Sequence, residues 1–211
     1  MNGLLVVDLD GTLVDVNSFT SFVTYLVVQM AKYGKWNAFF KVIHIVGLRK
    51  MRCISHADAK KAIIDCCNSV YGGNKQIYSE FCEGLGKRLR PSVINIIDKY
   101  RRTGATVALA TAAPAEYAEL FAHSCGFDYC IASGFGKSGE SSRTYECKGD
   151  EKLRRVKELC LRENIEIAAV ITDHEDDLPL LTIAPECYLV NPSLTTENAV
   201  RKKGIRYLRI N

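Results

Sequence analysis

Two aspartates one residue apart, Asp8 and Asp10, follow the apolar run Leu4-Leu5-Val6-Val7 and precede Gly11-Thr12. In a strand, residues i and i+2 point the same way, so both carboxyls converge where the strand ends. Like charges held that close repel unless they share a proton or a cation, and a hard divalent ion such as Mg²⁺ suits such oxygen donors. The same residues also fit a plain polar turn after a buried strand, so the pair needs support from elsewhere in the chain.

Two further apolar runs supply it. Val107-Ala108-Leu109-Ala110 leads into Thr111-Ala112-Ala113-Pro114, and Ala169-Val170-Ile171 leads into Thr172-Asp173-His174-Glu175-Asp176-Asp177. In parallel sheets the chemistry sits at the carboxyl ends of the strands. Three such ends, each delivering hydroxyls or carboxylates, point to one site and not to isolated turns.

The elements that must position these residues follow from periodicity and punctuation. After Pro91 the pattern alternates: helix 93–102, strand 106–110, helix 115–125, strand 129–132, helix 151–163, strand 167–172, helix 176–183, strand 187–190, helix 195–203 and strand 205–210. The polar, Gly/Ser-rich stretch 133–146 reads as a hairpin or loop. Alternation of this kind predicts an α/β fold, a Rossmann-like three-layer parallel sheet. Residues 16–90 break the pattern with helical periodicity throughout, so the expected organisation is an α/β core of 1–15 and 91–211 with an inserted all-helical cap, 16–90.

Composition sets the outer limits. The 211 residues are 47% hydrophobic and 25% charged with a net charge of +4, an ordinary globular balance whose scattered basic residues do not form a nucleic-acid face. The nine cysteines show no repeated ligand spacing and no signal peptide opens the chain, so a reducing cytoplasm with free thiols is expected, without a zinc site. The apolar stretch 19–31 falls short of the ~20 residues a bilayer span needs. With a second apolar stretch at 36–48, interrupted by Lys41 and His44, it reads as a buried helix pair, or as a face that meets lipid.

Taken together, these residues resemble the haloacid dehalogenase superfamily of aspartyl-phosphate phosphatases, most nearly its phosphoserine-phosphatase-like branch with a helical cap. Asp8-Leu9-Asp10-Gly11-Thr12-Leu13 is similar to the first motif, Leu109-Ala110-Thr111 to the second, and Asp173 to Asp177 with Leu178-Pro179-Leu180-Leu181 to the acidic fourth. Val190-Asn191-Pro192 also matches this branch.

The resemblance implies a Mg²⁺-dependent hydrolase of a small phosphate ester. Asp8 is then the nucleophile and Asp10 the general acid and base. Mg²⁺ is held by Asp8, Asp173 and the main-chain carbonyl of Asp10, while Gly11, Thr12, Thr111, Ala112 and a lysine bind phosphoryl oxygens, with Asp177 behind them. Lys152, with Val156 four residues on, fits the family's register for that lysine, and Lys148 is the alternative. Departures are Ala112 in place of a usual serine, and Thr172 and His174 where small residues are usual. His174 either crowds the site or turns outward, and His44, His56 and His123 read as ordinary helix residues. Alternatives are a lipid-phosphate phosphatase with the cap on a membrane surface, a phosphotransferase or mutase, and a non-catalytic binding module.

Overall fold

The computed structural model describes residues 3–72, 75–134 and 145–211. Its centre is a six-stranded sheet, β1 (Gly3–Val7), β2 (Thr106–Pro114), β3 (Tyr129–Ser133), β4 (Glu166–Thr172), β5 (Glu186–Val190) and β6 (Leu208–Ile210). The strands lie in the order β3-β2-β1-β4-β5-β6, and every neighbouring pair is parallel. The chain builds outward from β1 in one direction through β2 and β3, then returns to β1 and builds outward in the other. The reversal of strand order falls between β1 and β4, the position where ligands bind in open α/β sheets.

Side-chain alternation divides the sheet's two faces. Leu5, Val7, Val107, Leu109 and Ile171 join one buried core, whereas Leu4, Val6, Ala108, Ala110 and Val170 join the other. The first face is covered by α5 (Pro91–Arg102) and α6 (Ala115–Ser124), the second by α7 (Asp150–Glu163), α8 (Leu178–Leu181) and α9 (Leu194–Lys202). The three layers expected from the alternating pattern are present.

Four helices intervene between β1 and α5: α1 (Ser18–Lys32), α2 (Trp36–Lys50), α3 (His56–Tyr71) and α4 (Gln76–Gly86). Local chemistry starts two of them. Asn17 Oδ1 accepts from Thr20 N at 2.8 Å ahead of α1, and Ser55 Oγ accepts from Asp58 N at 3.0 Å ahead of α3. The block enters and leaves on adjacent strands of chain: Asp15 N donates to Arg88 O (3.2 Å), and Arg90 N to Leu13 O (2.9 Å). Arg88 also grips the Asp15 carboxylate with two bonds of 2.7 and 3.1 Å.

Aromatic packing fastens the block to the sheet layers. The Phe22 ring lies 5.5 Å from Tyr78, 5.2 Å from Phe81 and 5.3 Å from Tyr117, centroid to centroid. Tyr117 belongs to α6 and is fully buried, so α1, α4 and α6 share one hydrophobic core with the sheet.

Several boundaries differ from the sequence-based expectation. β2 continues through Pro114 instead of stopping at Ala110, and β6 starts at Leu208 instead of Ile205. The helix expected over 176–183 is a 3-10 turn, Glu175–Asp177, followed by the short α8. Pro179 accounts for the break, because proline fits the first turn of a helix but not its interior. Of the loop expected at 133–146, Gly134 and Tyr145 pair as an antiparallel bridge, and 135–144 lie outside the described residues.

Phe22→Ala removes the centre of the aromatic cluster and is expected to lower the unfolding free energy by about 3–5 kcal/mol. Phe40→Ala, on an exposed ring, is expected to change it by no more than about 0.5 kcal/mol. Chemical denaturation of the two variants measures the difference.

Candidate active site

The pairing of β1 with β4 persists one residue past the strand, since Asp8 N donates to Ile171 O at 2.9 Å. The chain then turns sharply. Leu13 N donates to Asp8 O (3.3 Å) and Val14 N to Leu9 O (3.0 Å), two successive bonds spanning five residues that wrap 8–14 into one wide, π-type turn. Gly11 sits in it at φ +73°, and a Cβ added there would fall 2.2 Å from Asp173 Oδ2. Only glycine lets the Asp173 carboxylate come this close. The buried Thr12 hydroxyl donates to the other oxygen, Oδ1, at 3.1 Å.

Asp8 follows Leu4 and Val6 in parity, toward the face on which α7 packs. There the Lys152 side chain, from the first turn of α7, reaches Asp8 Oδ1 at 2.9 Å and the two oxygens of Asp177 at 2.7 and 2.9 Å. Thr172 Oγ1 donates to Asp177 Oδ2 at 2.8 Å, which fixes that carboxylate. A buried ammonium at the positive end of a helix is doubly disfavoured, by desolvation and by the dipole. Asp177 and Asp8 overcome both and hold Lys152 charged, above the ordinary lysine range.

The carboxylates are under strain of the opposite kind. Burial pushes Asp8 upward, Lys152 pulls it back, and Asp177 and Asp173 add to the rise. Asp173 is also raised by burial, against the Thr12 hydrogen bond. A site with this surplus of negative charge and hard oxygen donors fits a divalent cation. Among the described residues no three His, Cys, Asp or Glu side chains form a metal cage. The carboxylates available to such a cation are Asp8 and Asp173, which line the same cleft.

Asp10 turns to the helical block. Its Oδ1 accepts from Ser18 N, the first residue of α1, at 2.8 Å, and the Ser18 hydroxyl meets Tyr117 OH at 3.0 Å. Burial raises the Asp10 carboxyl, with Ser18 opposing, so its acid form is favoured relative to a free aspartate. Thr111 is buried within β2, just past its apolar run, and its Oγ1 accepts from Ala113 N at 3.0 Å.

Of the two lysines expected near the phosphate, Lys152 reaches Asp8. Lys148 is half exposed and pairs with Asp176 at 2.8 Å. His174 is half exposed and lines the cleft, its Nδ1 accepting from Asp176 N at 3.1 Å at the start of the 3-10 turn. All the residues expected at the site line one cleft of about 440 Å³ except Thr12, which lies beneath it.

The cleft also holds residues from outside those motifs. Lys60 of α3 is buried, and its Nζ donates to Ala112 O at 2.8 Å and to Glu146 Oε1 at 2.6 Å. His56, read from the sequence as an ordinary helix residue, lies 3.5 Å from the same Glu146 oxygen and lines the cleft. His56 and Lys60 hold the Glu146 carboxyl down to about 2 against its burial. Lys60 had only its helical position to suggest that it faced the site, and Glu146 only its place in a polar stretch. Nothing local in the sequence pairs them across 86 residues.

The profile of the haloacid dehalogenase-like hydrolases matches residues 5–182, and the chain belongs to this family. No curated protein matches it significantly. A protein of unknown function from Bordetella pertussis Tohama I has the same fold at a TM-score of 0.78, with 16% identity over 100% of this chain and 99% of that one. A probable phosphoserine phosphatase from Vibrio cholerae is similar at a TM-score of 0.67, with 15% identity over 100% of this chain and 61% of that one. A structure described as a phospho-aspartyl intermediate analogue of phosphoserine phosphatase is similar at 0.58, with 15% identity over 99% and 93%. At these identities the likeness is one of fold.

Lys152→Met leaves two buried carboxylates unpaired and is expected to cost about 3–5 kcal/mol of stability. Lys148→Met, on a half-exposed pair, is expected to cost no more than about 1 kcal/mol. Denaturant titration of both variants distinguishes the two lysines. Glu146 has a folded pKa of about 2 against an ordinary 4.5, so its contribution is complete above 4.5 and fades as pH falls toward 2. The gap in melting temperature between the wild type and Glu146→Gln is therefore expected to narrow as the pH is lowered through that window.

Proposed function

We propose that this hydrolase is a Mg²⁺-dependent phosphatase of small phosphate esters, acting through an aspartyl-phosphate on Asp8. The observation that carries the reading is the Asp8–Lys152–Asp177 array at the β1/β4 junction, with Asp10 held separately by Ser18. Asp8 and Asp173, with the Asp10 carbonyl, would hold the metal. When bound, the cation neutralises the phosphoryl group and lets a carboxylate approach it.

The chain's own residues then do the following. Lys152 and the main-chain N–H groups of the 11–12 turn, with Thr111 and Ala112 in the last part of β2, bind the phosphoryl oxygens. An Asp8 carboxylate oxygen attacks phosphorus, the bond from phosphorus to the ester oxygen breaks, and Asp10 gives that oxygen its proton. Asp10, now a carboxylate, takes a proton from water as the water oxygen attacks phosphorus. The bond from phosphorus to Asp8 breaks, and inorganic phosphate leaves. The two carboxylates have separate tasks because their surroundings differ. Burial raises both carboxyls, Asp8 to about 7 against the pull of Lys152. Asp8 faces that ammonium and would share the metal, which favours its charged form. Asp10 lies apart beside the Ser18 N–H, where burial favours its acid form.

Helices α1–α4 act as the cap in this reading. Ser18 positions the acid, and buried Lys60, paired with half-buried Glu146, lines the side of the cleft beside Ala112. The structure described as a phospho-aspartyl intermediate analogue shares this fold, which supports an acyl-phosphate route.

Phosphate release from a panel of esters tests the proposal. Release is expected with Mg²⁺ and lost on chelation. It should fall below about 10⁻³ of wild type in Asp8→Asn and by about 10²–10⁴ in Asp10→Asn. Unchanged release in Asp8→Asn would overturn the reading.

A further inference from the structure

Helix α2 carries two apolar faces. Val42 and Ile45 point inward and are buried. On the opposite side Trp36, Phe40 and Ile43, spaced i, i+4 and i+7, form a stripe whose members are 54%, 63% and 46% exposed. Ring contacts of 5.7 Å between Trp36 and Phe39 and 5.3 Å between Phe39 and Phe40 join its aromatic end. Exposed Tyr33 precedes the helix and exposed Met51 follows it. The buried helix pair expected from the sequence therefore accounts for only one side of α2.

Along the chain, the charge flanking this stripe has one sign. Between Asp15 and Asp58 the chain contains no acidic residue and six basic ones: Lys32, Lys35, Lys41, Arg49, Lys50 and Arg52. All six are exposed. The whole chain nets only +4, so this segment is more basic than the protein that carries it.

We propose that α2 docks on the surface of an anionic lipid bilayer. Trp36, Phe40 and Ile43 enter the boundary between headgroups and acyl chains, and the surrounding lysines and arginines meet the anionic headgroups. Aromatic rings with a polar edge, as in Trp36 and Tyr33, are suited to that boundary. Among the described residues no helix is long and apolar enough to cross a membrane, so the attachment is peripheral. A second copy is the less suitable occupant. A two-fold contact presents the same patch from both sides, which would set one cationic surface against another. The docking face is independent of the reaction assigned to the cleft.

Trp36 is the chain's single tryptophan, so its emission reports on this surface directly. The experiment adds vesicles of phosphatidylcholine, alone or mixed with phosphatidylglycerol, to the intact protein and follows Trp36 emission and co-sedimentation. A blue shift and pelleting with the anionic vesicles are expected, at least about tenfold stronger than with neutral ones and weakened by added salt. Phe40→Ser with Ile43→Ser should reduce vesicle binding at least about tenfold while the melting temperature and soluble-ester hydrolysis stay unchanged. Absence of pelleting, or equal binding to both vesicle types, would overturn the proposal. A shift of Trp36 emission that rises with protein concentration without lipid would also overturn it, in favour of a second copy.

Discussion

The site rests on one lysine set among carboxylates that repel each other. Asp8, Asp173 and Asp177 are brought together by the ends of two adjacent strands, where burial and neighbouring carboxylates oppose the ionisation of Asp8 and Asp173. Lys152 is held above its ordinary range by the same groups it stabilises. Each part of the array is costly alone and tolerable together, because burying an ion pair is offset only when geometry and further hydrogen bonds satisfy both charges. The parallel sheet supplies that geometry. β1 and β4 stay paired through Asp8, Thr172 fixes Asp177, and α7 brings the ammonium in from the second layer.

The two aspartates of the proposed reaction are held by different parts of the molecule. Asp8 is fixed by the sheet and α7, whereas Asp10 is fixed by the first peptide of α1 and, through Ser18, by Tyr117 of α6. The aromatic cluster around Phe22 then ties α1 and α4 to α6. The paired strands at 13–15 and 88–90 tether both ends of the helical block beside the first turn of the site. Position of the block and position of the Asp10 carboxyl are thus one structural variable, and Asp10 keeps this partner only while the helices are seated on the sheet layers.

Much of this was legible in the chain because it is written locally. Apolar runs leading into Asp8, Thr111 and Asp173 gave the three strands that carry the site, though β2 runs on to Pro114. The family resemblance, through Val156 four positions after Lys152, pointed to that lysine. The glycine at 11 marked a turn, though not the close approach of Asp173 that makes glycine necessary. What the sequence hid depends on tertiary contact. The Lys60–Glu146 pair joins a helix of the inserted block to the stretch before α7, and His56 joins it only because α3 lies across the cleft. The outward stripe on α2 was hidden for another reason. Hydrophobic spacing tells which residues share a face, but not whether another element covers that face.

The central claim is that Asp8 takes the phosphoryl group, and trapping the acyl-phosphate tests it most directly. The protein would be mixed with a turned-over ester and Mg²⁺, quenched in acid, digested and analysed by mass spectrometry. The account requires a phosphoryl increment on the peptide containing Asp8, present during turnover and absent after the ester is exhausted. Steady phosphate release with no increment on Asp8, or an increment on another residue, would contradict it.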